Sequence, residues 1–406
     1  MDWQAVCKEA QASVLNAIPV QWRLNLDDYH GRKDISKVPF TCGILTKEQI
    51  QITELTATEI VDRLESRTLK AAQVNCLTEW FYEEGLEQAR ALDDAIARGE
   101  TLKGPLHGVP VALKDVHELK DHVSTMGYVS RRNNTMKEDS ALVQTLRAAG
   151  AVFFCKTTMP QSGMTLETVS NLWGRTTDPF NRDLVAGGSS GGDAVLVALK
   201  GSPIAPSTDM GGSIRCQRHL MGCMVSGLLP TAYLKVVCVT LTLVTSRSNS
   251  LAAQIFNPRE RSAAEALNLN LKTRALKERF AESWDGTASR TASGRVIDAL
   301  VMPSSPAVGY PHDFNIYLGY TSLLNLIDYP SVILAITNFR VDTQLDPMDH
   351  SYQPLKTNPY DRPNYELYRP ESFTNQPSTI QIVGRPFKDE EAIRAAFILD
   401  DLFKGQ

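Results

Sequence analysis

Six consecutive residues, Gly187-Gly188-Ser189-Ser190-Gly191-Gly192, constrain this chain more than any other stretch. Each glycine loses more backbone entropy on folding than other residues and offers no side chain to bury. Such a run is kept for geometry. Glycine permits positive φ and lets main-chain N–H groups approach a ligand, so hydroxyls held in this frame sit beside exposed amide donors. A flexible Gly/Ser linker is the alternative, but apolar, helix-compatible residues press in on both sides, which a linker would not show. A second glycine-serine turn follows at Asp209-Met210-Gly211-Gly212-Ser213-Ile214-Arg215.

A lysine completes the constellation. Gly108-Val109-Pro110-Val111-Ala112-Leu113 reads as a buried strand, and Lys114-Asp115 stands at its end, the side of open α/β sheets where ligands collect. Partial burial there would disfavour the ammonium form and let Lys114 accept a proton near neutral pH. A snorkelling lysine paired with Asp115 is the competing reading, and these residues alone leave both open.

The text from Gly108 to Arg215 resembles the amidase signature family, and the words around it resemble the fungal general amidase or acetamidase branch. The matching stretches are GVPVALKD at 108–115, GAVFFCKTTMPQS at 150–162, GRTTDPFNRDLVAGGSSGGDA at 174–194 and GSPIAPSTDMGGSIR at 201–215. Similar words stand outside these four stretches at Thr41–Thr46, Asn75–Glu79, Met126–Ser130 and Ile380–Arg385. A paired GGSSGG and TDxGGSIR at this separation is far more specific than a lone glycine-rich loop.

The resemblance implies a Ser-Ser-Lys triad: Ser213 as nucleophile, Ser189 as the bridging serine on a cis peptide, and Lys114 as general base and later acid. It also implies an oxyanion hole of main-chain N–H groups from Met210, Gly211, Gly212 and Ser213, with Ser189 beside the substrate, and acyl-pocket positions at Gly163 and Met164. The residue types suit the chemistry. A serine hydroxyl is a weak nucleophile until a neighbour takes its proton, and a neutral lysine relayed through a second hydroxyl can do so. Asp209 and Arg215 bracket the second turn and are expected to pair across it and hold its shape.

Two near-motifs lead elsewhere. Gly150 to Thr157 reads G-x-x-x-x-C-K-T, but cysteine replaces the glycine that lets a P-loop wrap phosphate. His117-Glu118 with His122 resembles a zinc helix motif, yet the histidines are five apart and would face different sides of a helix, so surface histidines are expected. Neither a metal nor an organic cofactor is expected.

The net charge of −4 over 406 residues shows no basic excess and argues against a nucleic-acid partner. Seven scattered cysteines without a Cys-x-x-Cys pair, and an opening Met1-Asp2-Trp3-Gln4 without a basic-then-apolar leader, point to a reducing cytoplasm. The longest apolar stretch, near Val236–Leu243, is too short for a membrane span.

Periodicity predicts a helical docking arm over 3–18 with Val6, Ala10, Val14 and Ile18 on one stripe, and a capping box at Thr56 and Glu59 opening a short helix. Further helices are predicted over 81–98, with Leu86, Ala89, Leu92 and Ile96 inward, and over 139–149, 191–199, 263–284 and 388–403. Strands are predicted at 108–113, 151–155, 331–335 and 380–383, with a β-branched run over 232–244. Residues 341–376, rich in Asp, Asn, Pro and Tyr, read as a long surface loop.

Helix-strand alternation predicts an α/β fold, a mixed, largely parallel twisted sheet flanked by helices. The whole of 1–406 reads as one amidase-like domain: helical arm and helices over 1–100, catalytic core over 101–230, a shortened, divergent central segment over 231–294, and a C-terminal sheet and helix part over 295–406. After Arg215 the family's phrase is replaced by Cys216–Cys223 and recovers only at Gly227-Leu228-Leu229-Pro230-Thr231, so part of the central region is expected to be missing.

The resemblance implies a hydrolase that splits a monocarboxylic acid amide into acid and ammonia or amine through an acyl-ester on Ser213. The expected partner is a small-molecule amide, and a homodimer is a candidate assembly. A fold-defective or non-catalytic relative is the main rival, because removing packed elements exposes apolar faces and strand edges. An amidotransferase subunit acting on charged tRNA shares the signature; the acidic balance and the fungal-type flanking words argue against it.

Overall fold

Continuous apolar residues leave strands that must be covered on both faces, and the two strands predicted around the lysine form with almost every residue buried. The computed structural model describes residues 2–24, 29, 31–54, 75–216, 225–227, 262–314, 317–358, 360–374 and 376–404. The capping box at Thr56 and Glu59, the β-branched run over 232–244, residues 228–231 of the recovered phrase, and Cys223 and Cys238 lie outside the described residues. The chain divides into two units, Met1–Thr208 and Asp209–Gln406.

In the first unit the order is α1 (Trp3–Ala17), α2 (Val38–Thr41), α3 (Lys47–Thr53), β1 (Leu77–Trp80), α4 (Tyr82–Ala97), β2 (Pro110–Lys114), α5 (Ala141–Ala148), β3 (Val152–Thr157), the short β4 (Val169–Ser170) and β5 (Gly174–Arg175), and α6 (Gly191–Ala198). Asp2 caps α1 by accepting from Gln4 N at 3.0 Å. Cys7 and Ala10 of that helix are buried against Leu172 and Trp173, with Val14 beside them, so the predicted arm docks one residue away from the expected stripe at its first turn.

The first sheet has the order β1-β3-β2. β2 and β3 run parallel with Lys114 opposite Thr157, whereas β1 pairs antiparallel with β3. Val109, Val111, Leu113, Leu119, Val143, Ala151 and Phe153 form its core under α5. Helix α4 lies close because its Gly85 has no Cβ, which would stand 2.8 Å from the Phe153 carbonyl oxygen. Its last predicted inward residue, Ile96, is exposed.

The second unit contains β6 (Val225–Gly227), α7 (Ala263–Asp285), β7 (Leu300–Met302), α8 (Gly319–Ile327), β8 (Ser331–Arg340), α9 (Asp361–Leu367), α10 (Pro370–Phe373), β9 (Pro377–Val383) and α11 (Asp389–Lys404). Its sheet, β6-β8-β9-β7, is antiparallel throughout. The sheets are thus mixed α/β, with parallel strand pairing among the described strands confined to β2 and β3. Ser262 and Glu265 make a full capping box at the start of α7. Ala392 and Ala396 of α11 are buried against Val332, Leu334 and Ile382. The segment read as a surface loop over 341–376 instead carries α9 and α10, because Pro370 and Phe373 are buried and anchor it. No described helix is long and apolar enough to cross a membrane.

Candidate active site

Lys114 ends β2, and all of its side chain is buried. Its Nζ donates to three hydroxyls: Ser189 Oγ at 2.9 Å, Ser190 Oγ at 2.7 Å and Thr208 Oγ1 at 2.7 Å. The first unit therefore brings together Lys114 and Ser189, both given roles in the sequence reading, with Ser190, which stood in the glycine run without a role, and Thr208, which was not singled out. Thr208 could have been suspected from its place just before Asp209 in the second turn. Asp115 is engaged in shaping the neighbouring loop, accepting from Thr125 Oγ1 at 2.8 Å and from Thr125 N at 3.2 Å.

The glycine run does its work by close approach. The Gly188–Ser189 peptide is cis. Thr168 brackets the turn, its hydroxyl donating to Gly187 O at 2.8 Å and accepting from Gly191 N at 3.0 Å. A Cβ on Gly192 would stand 2.5 Å from Thr158 N and 2.6 Å from Thr158 O, both backbone atoms, so only glycine lets α6 begin here. Ser190 is the N-cap of α6, whose first-turn amides and dipole lie at the serines and favour negative charge.

The residues from Met210 to Ser213 belong to the second unit, in a turn built on Asp209. Arg215 grips Asp209 with two N–H groups, Nε to Oδ2 and NH2 to Oδ1, each at 3.1 Å, as expected from the sequence. Burial alone would raise the Asp209 carboxyl, but Arg215 and the amides of Ile214 and Gly212 hold it well below the ordinary carboxylate range. The Gly212 N–H points at Asp209 Oδ1, 2.8 Å away, and so is committed to the turn itself. Ser213 and Gly211 are half-buried and Met210 is 54% exposed.

Helix α8 braces this turn, a role sequence reasoning missed. Asn325 Nδ2 donates to Asp209 Oδ1 at 3.0 Å, its amide oxygen accepts from Arg215, and Thr321 Oγ1 donates to Gly211 O at 2.8 Å. The available signal was Asn325 itself, an amide among the apolar residues of Leu323–Ile327. Gly212 has φ +129° and no room for a Cβ against Thr321.

The two histidines expected on the surface are buried, each 8% exposed. His117 Nε2 lies 3.1 Å from Pro206 O and therefore carries the proton there. Burial first, and then the Lys114 charge, push its pKa down to about 3. His122 sits between two glutamates. A second buried lysine, Lys156, donates to the Val123 carbonyl, and burial lowers its pKa. Gly163 closes the turn Gln161–Gly163, and Met164 follows it. Among the described residues no cluster of His, Cys, Asp or Glu could hold a metal ion.

The profile of the Amidase family matches residues 59–234. An amidase of Gibberella zeae is 43% identical with all of both chains covered; the alignment runs over 547 positions, more than the 406 residues here, so it opens gaps in this chain. An acetamidase of Emericella nidulans is 26% identical over 97% of each chain. Among solved structures, a fatty acid amide hydrolase superposes with a TM-score of 0.82 at 21% identity, covering 99% of this chain and 95% of the other, a likeness of fold.

Proposed function

The chain belongs to the amidase family and is an amide-hydrolysing enzyme, and on that premise we propose that it hydrolyses a carboxylic amide by a Ser213–Ser189–Lys114 relay through an acyl-ester. The supporting observation is a wholly buried lysine whose Nζ lies 2.9 Å from Ser189 Oγ. Ser213 Oγ attacks the amide carbonyl carbon while its proton passes to Ser189 and that of Ser189 to Lys114. The carbonyl π pair moves onto oxygen, and main-chain N–H groups of Met210, Gly211 and Ser213 receive the oxyanion, with Gly212 fixing the turn through Asp209.

Collapse of the tetrahedral adduct breaks the C–N bond. The leaving nitrogen takes the proton held by Lys114, returned through Ser189, and departs as ammonia or amine. Water then attacks the Ser213 ester, the relay again accepting a proton, and the carboxylic acid leaves as Ser213 recovers its hydrogen. A lysine among hydroxyls suits this double duty, since its neutral amine accepts a proton and its ammonium returns it.

A screen of simple aliphatic and aryl amides, run on the parent, Ser213→Ala and Lys114→Ala, tests the reading. Both variants should fold and lose at least about 10³-fold in kcat, as members of a catalytic unit do when removed singly. Near-parent turnover by Ser213→Ala would overturn it.

A further inference from the structure

Asp193 is wholly buried on the first turn of α6, three residues beyond Ser190, and has no step in the relay. One of its oxygens accepts from Thr157 Oγ1 and the other from Ser207 Oγ, each at 2.5 Å. Both donors adjoin the lysine. Thr157 is the register partner of Lys114 across β2 and β3. Ser207 precedes Thr208, whose hydroxyl accepts from Lys114 Nζ.

The stretch that carries Ser207 and Thr208 has no regular secondary structure. It is pinned upstream by Ala112 N to Ile204 O at 3.2 Å and by the His117 contact to Pro206 O. Asp193 supplies the tie next to Thr208, and it does so from the helix whose N-cap is Ser190, another hydroxyl in contact with the amine. One carboxylate thus joins the strand beside Lys114, the helix behind its serines and the loop that closes over it.

Resting on Lys114 as the base, we propose that Asp193 is a positioning residue for the hydrolysis, holding Thr157 and Ser207 so that the hydroxyl cage around Lys114 Nζ keeps its shape. Burial alone would disfavour an ammonium ion, and a buried negative charge two links away offsets part of that. Asp193 therefore also helps the amine keep the proton it takes until the leaving nitrogen needs it.

The test uses the full chain and two readouts. The Lys114 13Cε resonance, assigned by its loss in Lys114→Met, is titrated in the parent and in Asp193→Asn, which needs no turnover. The midpoint should move to lower pH in Asp193→Asn and return toward the parent in Asp193→Glu. On an amide, Asp193→Asn should lower kcat about 10- to 100-fold with KM within about threefold, the mark of misplaced machinery. An unmoved midpoint in folded Asp193→Asn overturns the proposal. If the midpoint moves while Lys114→Ala keeps full turnover, Asp193 holds the amine as stated and the assignment of Lys114 as base is what fails. Should Asp193→Asn not fold, Ser207→Ala leaves the carboxylate and Thr157 in place, and it must lower kcat at least about tenfold; unchanged kcat there overturns the proposal.

Discussion

His122 has a carboxylate on each ring nitrogen, Glu79 Oε1 at 3.0 Å from Nδ1 and Glu84 Oε2 at 2.9 Å from Nε2. A neutral imidazole has one N–H and one lone pair, so two carboxylate acceptors call for the doubly protonated ring. Burial by itself would favour the neutral form; Glu79 and Glu84 together outweigh it and hold the His122 pKa above its ordinary value. A folded pKa raised above the unfolded one gives stability that is full below about pH 6.5 and fades as pH rises through the folded value. The melting temperature of the parent should therefore fall as pH is raised from about 6 through the neutral range. His122→Gln should melt lower at pH about 6 and show a smaller fall over the same range; an equal fall in both proteins would sink this assignment. The Phe81 ring, 4.1 Å from the imidazole, shields the cluster without adding charge.

Around Ser213 the unit of organisation is an element pair: the turn from Asp209 to Arg215 and helix α8. Breaking one partner of a buried ion pair strands the other charge, so Asp209→Ala should destabilise the protein by about 3–5 kcal/mol, read by urea unfolding. Asn325→Ala removes an amide that serves both charges and should cost less, about 1–3 kcal/mol. A loss below about 0.5 kcal/mol for Asp209→Ala would mean the pair does not hold the turn. At this scale the sequence was most legible where one local rule decides. The buried runs at Val109–Leu113 and Val152–Cys155 and the helical periodicity over 263–284 and 388–403 each announce their element without help from distant residues. Glycine geometry and a strand end draw attention to Ser189 and Lys114, and the family resemblance alone supplies the roles proposed for them. Contacts distant in sequence were not legible. Asn325 is more than a hundred residues from Asp209, and β1, which no predicted strand covers, lies antiparallel on β3. Helices α9 and α10 were hidden by a Pro- and Asp-rich composition that reads as loop, and burial of Phe373 overrides that local preference.

Across the whole molecule the cysteines supply probes in both units. Among the described residues, Cys7, Cys76 and Cys155 are buried in the first unit and Cys216 in the second, whereas Cys42 is half-buried. The thiolate is the reactive form, so labelling needs both access and ionisation. Burial raises the Cys7, Cys76 and Cys155 thiols, and it pushes Cys216 up to about 12, with the neighbouring Asp209 charge adding to the effect. A brief pulse of iodoacetamide at pH about 7.5, read by peptide mass spectrometry, should therefore modify Cys42 ahead of Cys7, Cys76, Cys155 and Cys216 and leave those four nearly untouched. Modification of those four must wait for opening of the structure around them, and their rates should climb together with denaturant-induced exposure within each unit. Native labelling of Cys155 or Cys216 as fast as Cys42 would show that the sheet core of the first unit, or the turn carrying Ser213, is open under the conditions in which hydrolysis is measured. The same pulse applied to Asp209→Ala extends the argument: losing that carboxylate removes an anion beside Cys216 and loosens its shelter, so both effects act in one direction and Cys216 should become the fastest-labelled of the four buried thiols.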